Sequence, residues 1–406
     1  MTNEKRILLF SCAAHFFSHF FELLFPALVL PLMDHFHRSL PEILKLSFPM
    51  YLLFGLAALP WGMAADRFGN RKSILVFFLG CGAGSLAAAA SPSETGLLIS
   101  LGAIGLFNSI YHAAGIGMLS KGMRNLGTAL GINGAFGNLG MVSAPFTAGL
   151  LNWLFGWRAA FLLAGGACLL WGMFLAMVPI DETPVRSGED GNTPGGPPQA
   201  RLIRYFLILC VVMTLSGFVY RANSVVLPAY LEYRAGFLWE LLRHFSFGNL
   251  ASVKTLAATL LASFVYLIGI VGQLAGGRLA DRYDLRWLYF AFHALSLPFV
   301  LLMSVLSDLP LVVVTSLYLL FALGMQPIEN SLIARFTPSR WRSTSYGIKF
   351  ILVFGVGSLS VYVTGWLKET WGFESIYVAA GILVSLLLTW ILILIRASRG
   401  FPCRNG

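Results

Sequence analysis

Gly62-Met63-Ala64-Ala65-Asp66-Arg67 and Gly277-Arg278-Leu279-Ala280-Asp281-Arg282 repeat one pattern, G-x-x-x-D-R, at an interval of 215 residues. Each is a short charged island at the end of a long apolar run. Other landmarks keep nearly the same interval: Arg124 and Arg340, Gly131 and Gly347, and Gly156-Trp157 and Gly372-Phe373 are each 216 residues apart. A near-constant offset over four landmarks marks an internal duplication. In a hydrophobic chain, a duplication of this length is the usual build of a membrane transporter.

Composition sets the class. Of 406 residues, 57% are hydrophobic and 11% charged, and the mean hydropathy is +0.76. A soluble domain carries about 25% charged residues, so this chain lacks the polar surface to cover a water-soluble globule. The net charge of +10 does not point to nucleic acid, because Lys and Arg sit in short loops on alternate sides of the apolar runs, with no basic stripe interleaved with aromatics. Cys12, Cys81, Cys168, Cys210 and Cys403 form no CxxC pair, and four of them fall inside apolar runs. They read as small buried filler rather than a disulfide framework or metal site. The sequence holds no HExxH, G-x-S-x-G or Walker pattern, so no catalytic residue, metal or cofactor is expected. Any driving force must come from an ion gradient or from the solute's own gradient.

A span needs roughly 20 mostly apolar residues. Twelve are expected, at 7–31, 46–65, 73–91, 96–119, 126–150, 158–179, 203–230, 255–279, 286–307, 310–334, 344–367 and 374–396. The first run, Ile7 to about Met33, is too long for a cleaved signal peptide and reads as a span. With the N-terminus inside, the inner segments hold 19 Lys and Arg and the outer ones 7, which places both termini in the cytoplasm. Short loops and the lack of a targeting extension suggest a bacterial inner membrane.

Residues 181–200, DETPVRSGEDGNTPGGPPQA, interrupt the apolar pattern and read as a flexible cytoplasmic linker. The expected fold is therefore an all-α polytopic membrane protein of two pseudo-symmetric six-helix bundles, 1–180 and 201–406. Upstream the offset shrinks, with Pro31 and Pro228 only 197 apart, so the second half carries an insertion near 235–252. There Phe237, Leu238, Leu241, Leu242 and Phe245 recur at helical spacing, as in an amphipathic helix lying on the outer leaflet.

Twelve spans as six plus six, a central linker and G-x-x-x-D-R after spans 2 and 8 resemble the major facilitator superfamily over essentially the whole chain. The first copy runs Gly62, Asp66, Arg67, Gly69, Asn70, Arg71, Lys72, with Asn70 where a basic residue is usual. The second keeps Gly277, Asp281, Arg282 and Arg286 but has Asp284 where glycine is usual. Tyr111-His112-Ala113-Ala114-Gly115, the Gly-rich fifth span and the Ser18-His19 to Glu22 cluster look like the fosmidomycin-resistance type of efflux protein. That branch usually has Pro and then an acidic residue where Ala113 and Ala114 stand. The resemblance implies a monomer that moves a solute by alternating access. It also implies that spans 1 and 7 face each other across a central cavity and that spans 4, 10 and 11 line its inner end.

In the G-x-x-x-D-R loops a carboxylate can pair with a neighbouring basic residue or cap a helix N-terminus. Asp66, Arg67, Gly69, Arg71, Asp281 and Arg282 are thus candidates for a latch that breaks as the halves rock. Their plainer role is topological anchoring, and the two roles are compatible.

Ionisable residues inside spans cost roughly 2.5–3.5 kcal/mol each on insertion scales, which makes each a functional candidate. They are His15, His19, Glu22, His112, Arg221, Glu329 and Lys349. Glu22 and Arg221 lie at similar depth toward the outside and are expected to form an outer lock that protonation of Glu22 weakens; a static ion pair is the alternative. His19, one turn from Glu22, can share the proton. His112 and Glu329 lie at pseudo-equivalent depth, and Glu329 with Lys349 or His112 is expected to form the inner counterpart. Alternatively, Lys349 snorkels to the interface and His112 is structural. His15 is read as facing away from Glu22.

Both fixed cations, Arg221 and Lys349, fall in the second half, which favours an anionic or zwitterionic solute. Tyr111, Tyr220, Asn108, Asn223, Gln326 and Asn330 are polar neighbours able to hydrogen-bond it. Gly127, Gly131, Gly134, Gly137, Gly140 and Gly149 make a small-residue packing seam on span 5. The leading expectation is a proton-coupled exporter of a small solute. A facilitator of the same fold is second. A membrane-embedded enzyme or lipid-handling protein is third and fits the duplication poorly.

Overall fold

In the computed structural model the protein is described over residues 1–124, 126–183, 199–244, 249–337, 342–401 and 403. The described residues are helical, with no strand among them. Inside hydrocarbon every backbone N–H and C=O must be satisfied within its own segment, and the helix does this.

In chain order the helices are α1 Asn3–Ala27, α2 Val29–Phe36, α3 Leu40–Leu46, α4 Phe48–Leu56, α5 Ala58–Phe68, α6 Asn70–Ala90, α7 Glu94–Asn108, α8 Ile110–Gly122, α9 Leu126–Phe155 and α10 Trp157–Met177. They continue as α11 Gln199–Arg234, α12 Phe237–Leu242, α13 Leu250–Ala280, α14 Leu285–Leu302, α15 Asp308–Phe336, α16 Arg342–Phe350, α17 Ser360–Trp371 and α18 Glu374–Ala397. Between α16 and α17 the chain passes through a π-helical turn, Ile351–Gly355, and a 3₁₀ turn, Val356–Leu359.

Each expected span coincides with one helix or a run of short ones. Among the described residues, ten helices are long and apolar enough to cross a membrane, or eleven if the pair bent by 47° at Ala57 is one span. That bent pair, Leu40–Leu56 with Ala58–Phe68, stands where the second span is expected, at 46–65. In the place of the fifth span is α9, 30 residues long. Most of the linker, 184–198, lies outside the described residues, as do Arg340 and residues 245–248 of the insertion. The described part of the insertion holds the six-residue helix α12 and, from Leu250, the start of α13. Its Trp239 ring carries Arg243 and Lys254 against it, at 5.2 and 4.7 Å from the ring centroid.

Helix starts follow local chemistry. Thr2 caps α1 through the Lys5 amide and Ser93 caps α7 through Gly96. Gly156 before α10 and Gly372 before α18 have φ of +83° and +86°. L side chains rarely adopt such angles, so the duplicated Gly-aromatic landmark is one turn conformation used twice.

The chain divides into two compact units, Met1–Ser187 with Ser224–Ser263, and Gly188–Asn223 with Phe264–Gly406. In the first, α1 packs along α9 and α6 along α10. The glycine seam of α9 is used unevenly. A methyl group at Gly140 would strike the Phe16 carbonyl, one at Gly137 the His15 ring and one at Gly149 the Thr259 side chain, whereas Gly131 and Gly134 have open space. In the second unit α14 packs on α15 and α18. There Gly272 and Gly276 of α13 meet the Leu320 and Gly324 carbonyls of α15 closely enough to exclude any Cβ.

Candidate functional site

In the first unit, α1 and α8 bring His15, His19, Glu22 and His112 together. Glu22 is 1% exposed, and its Oε2 lies 2.8 Å from His19 Nδ1. Three and four residues are one helical turn, so α1 presents His15, His19 and Glu22 in one row. The expectation that His15 faces away from Glu22 is therefore wrong: seven residues is about two turns, which returns to the same face. The His15 ring lies 5.0 Å from His19 and 5.9 Å from His112, and His112 lies 5.7 Å from His19. Tyr111 stacks on His15 at 4.6 Å and donates to Asn133 Oδ1 at 2.6 Å. Asn133 is also 2.8 Å through its carbonyl oxygen from His15 Nδ1. Tyr51 donates to the Glu22 carbonyl at 3.1 Å, and Asn108 to the Ser18 carbonyl at 2.9 Å. Among the described residues no three His, Cys, Asp or Glu side chains are grouped as metal ligands.

The second unit holds a different arrangement. Glu329, 1% exposed, has a partner on each oxygen: Tyr289 donates to Oε2 at 2.5 Å and Lys349 Nζ lies 2.8 Å from Oε1. Lys349 also donates to Asn330 Oδ1 at 2.7 Å. Glu329 and Lys349 are thus an ion pair within one unit, and Lys349 is buried. Gln326, one turn earlier on α15, accepts from Gln273 of α13 at 2.9 Å. Arg221 is fully buried, its guanidinium 5.7 Å from the Tyr220 ring and 5.3 Å from Phe354. Asn223 is buried as well. The π turn at Ile351–Gly355 lies just past Lys349 and brings Val353 against Gly217, where a Cβ would not fit. Such bulges recur at functional positions.

Tyr289 and His293 of α14 were missed from the sequence. His293 stands edge-on to Tyr289 at 4.7 Å. With Ser216, Tyr220, Ser296 and Tyr318 it lines a cavity of about 20 Å³, the room that one buried water needs. His293 is one span residue among many, and only its burial on the face shared with Tyr289 distinguishes it.

The two G-x-x-x-D-R loops dock alike. Arg71 donates to the carbonyls of Leu175, Ala176 and Val178 at the end of α10, at 2.8 to 3.1 Å. Its counterpart Arg286 donates to the Ser398 carbonyl at the end of α18, at 2.5 Å. Each guanidinium meets the negative end of a helix dipole. The following helix is capped by a carboxylate in both halves. Glu182 accepts from the Asn70 and Arg71 amides at 2.8 and 2.5 Å, and Asp284 accepts from the Arg286 amide at 3.0 Å. Asp284, standing where the family pattern has glycine, is therefore a helix cap. Gly69 supplies the φ of +97° that starts α6. Gly62 lies 3.4 Å from the Ala113 methyl for an added Cβ, and Gly277 is less crowded, at 4.0 Å from Pro327. Asp66 is 83% exposed and 3.9 Å from Lys121. Arg67, Asp281 and Arg282 are exposed.

Apolar helices in two units, a few buried ionisable groups in each, and paired charged loops define a multi-pass membrane carrier. The chain belongs to the Major Facilitator Superfamily, whose profile matches residues 8–258. It is thus a secondary transporter of small solutes that works by alternating access, and not an enzyme. A triacylglyceride transporter of Mycobacteroides abscessus is 38% identical over 117 residues, which cover 27% of this chain and 22% of that protein. In fold the chain is similar to a bacterial homolog of the human lysosomal transporter Spinster, at TM-score 0.76, 13% identity and 98% of both chains. A POT family transporter in complex with 5-aminolevulinic acid is as similar, at TM-score 0.76, 13% identity and 96% of both chains.

Proposed function

We propose that the protein is a proton-coupled exporter of a small anionic or zwitterionic solute in a bacterial inner membrane, with both termini cytoplasmic. The observation that carries the reading is the buried Glu22–His19 contact at 2.8 Å, with the rings of His112 and His15 packed beside it at 5.7 and 5.0 Å from His19. A carboxylate and imidazoles in a low-dielectric site can hold or release a proton as access to water changes. On this reading Glu22, His19 and His112 handle the proton. Arg221, Lys349 and Asn330 attract the solute, with Tyr111, Tyr220, Asn223, Gln326 and Glu329 around it. A Glu22–Arg221 lock closes the outer gate and opens when Glu22 is protonated, and the loops around Asp66 and Asp281 latch the inner side. The two halves, 1–180 and 201–406, rock about the linker at 181–200. The likeness of Tyr111–Gly115 to fosmidomycin-resistance efflux proteins supports export.

Proton flux in proteoliposomes, with candidate solutes added one at a time, tests this. Glu22→Gln is expected to abolish proton-driven accumulation while leaving solute exchange partly intact. Proton-driven transport at the wild-type level in that variant would remove Glu22 from the mechanism, and solute movement without protons would make the protein a facilitator. A lipid solute is a second reading, favoured by the local match to the triacylglyceride transporter. It predicts movement of a labelled acylglycerol between vesicle leaflets.

A further inference from the structure

The short helix α12 connects two spanning helices, α11 and α13, so it sits where the chain leaves the hydrocarbon. Its sequence is apolar at every position but Glu240, yet none of its residues is buried. Leu241 is 58% exposed, and Leu250, which opens α13, is 60% exposed. So short a helix does not persist in water on propensity alone. Apolar surface left open at the end of a membrane hairpin is covered by the boundary between headgroups and acyl chains.

The charges on this edge are arranged unlike the others on the same side of the chain. Arg243 follows Trp239 by one helical turn, and Lys254 follows Leu250 by one turn. Both cations lie against the same indole, the guanidinium 5.2 Å and the ammonium 4.7 Å from the ring centroid. Neither makes an ion pair among the described residues. By contrast, Arg38 pairs with Glu94 at 2.7 Å, and Arg158 donates to the Ser91 carbonyl at 3.0 Å. Glu232, whose carboxylate feels Lys254, accepts instead from the Thr255 hydroxyl at 3.0 Å. Glu240 stands about 100° around α12 from Trp239. Two like charges thus share one ring, and an anion set between them offsets their repulsion.

We infer that Arg243, Lys254 and Trp239 form a binding site for the headgroup phosphate of an anionic phospholipid, with Leu241 and Leu250 reaching its acyl chains. Indole rings settle at headgroup level, and Lys and Arg stems lie along apolar surface while their charged ends meet the phosphates. A zwitterionic headgroup brings its own ammonium, which cancels the phosphate, so two unpaired cations select a lipid of net negative charge. All of these residues belong to the Ser224–Ser263 segment of the first unit. The lipid braces the α11–α13 hairpin beside the Glu232–Thr255 hydrogen bond that already ties its two arms. The inference rests on the chain being a membrane protein, and not on its solute or on coupling at Glu22. Only the leaflet depends on which side the termini occupy.

Fluorescence quenching in vesicles tests the site. The full-length protein is reconstituted in phosphatidylcholine with increasing amounts of phosphatidylglycerol brominated on its acyl chains, or of brominated phosphatidylcholine in its place. Both leaflets carry the probe, so the orientation of the chain does not affect the reading. The chain has ten Trp, and the emission of Trp239 is taken as the difference between the wild type and Trp239→Phe. Brominated phosphatidylglycerol is expected to quench it at a roughly tenfold lower mole fraction than brominated phosphatidylcholine, the order that two cations near an anionic headgroup supply. Arg243→Gln combined with Lys254→Gln is expected to lose this preference, and Arg243→Lys to keep most of it. Equal quenching by the two lipids, or a preference that survives the double change, overturns the proposal. So does a Trp239 response to inorganic phosphate in detergent with no lipid preference in vesicles, which would make the site one for a free anion. Native mass spectrometry of the wild type needs no variant. Retention of phosphatidylglycerol no better than that of phosphatidylcholine sinks the proposal even where a variant misfolds. Neither measurement involves transport, so a failure of coupling at Glu22 leaves this result standing.

Discussion

At the residue scale, this membrane protein separates groups that hold the fold from groups that are free to act. Arg71 gives three hydrogen bonds to the end of α10. Its removal leaves those carbonyls without a charged donor, so Arg71→Ala is expected to lower stability by about 1–3 kcal/mol in detergent thermal unfolding. Asp66 differs: it is 83% exposed and only loosely near Lys121. Asp66→Asn is expected to leave the melting temperature unchanged and to slow transport. A fall in melting temperature would make Asp66 structural. Asp284 supplies a pH dependence. Burial opposes its charge, but hydrogen bonds from Arg286 outweigh that and hold its carboxyl below the usual carboxylate range. A depressed folded-state pKa adds stability above the unfolded value, about 3.9, and loses it as pH falls through the folded value. Asp284→Asn is therefore expected to flatten the acid limb of the stability profile, measured as melting temperature against pH.

At the element scale, the α1–α9 contact is set by which glycines of α9 face a neighbour. Gly140 and Gly137 meet α1, while Gly131 and Gly134 meet nothing. Gly140→Leu is expected to cost about 1–3 kcal/mol through overpacking. It should also disturb the His15 row on the same face of α1, read as loss of transport. Gly134→Ala should stay within about 0.5 kcal/mol of the wild type. Equal effects of the two changes would mean the helices do not approach as described. The span-5 glycines are legible in the sequence as a seam, but not which of them are used, because that depends on how α9 is rotated about its own axis. The same limit explains His15, whose row on α1 follows from helix geometry, whereas its meeting with His112 and Tyr111 requires α8.

At the scale of the whole molecule, the loop charges imply one topology. Ser187→Cys, in the linker, is expected to react with a membrane-impermeant maleimide only from the cytoplasmic side. The native cysteines are a weak background, since Cys12, Cys81, Cys168 and Cys403 are buried. Labelling from the outside would invert the assignment of both termini.

The sequence by itself determined the all-helical membrane class, the internal duplication and most span positions. These follow from the thickness of hydrocarbon, from backbone satisfaction and from a repeated motif, all of which act along one stretch of chain. It also picked out Glu22, Glu329 and Lys349, because charge in an apolar run is costly wherever it falls. Only the tertiary structure decided the partners. Tyr289 reaches Glu329 across 40 residues and Glu182 caps α6 across about 110. Hydropathy carries no information about such pairs, since the rotation and depth at which helices pack select which face of each meets the next.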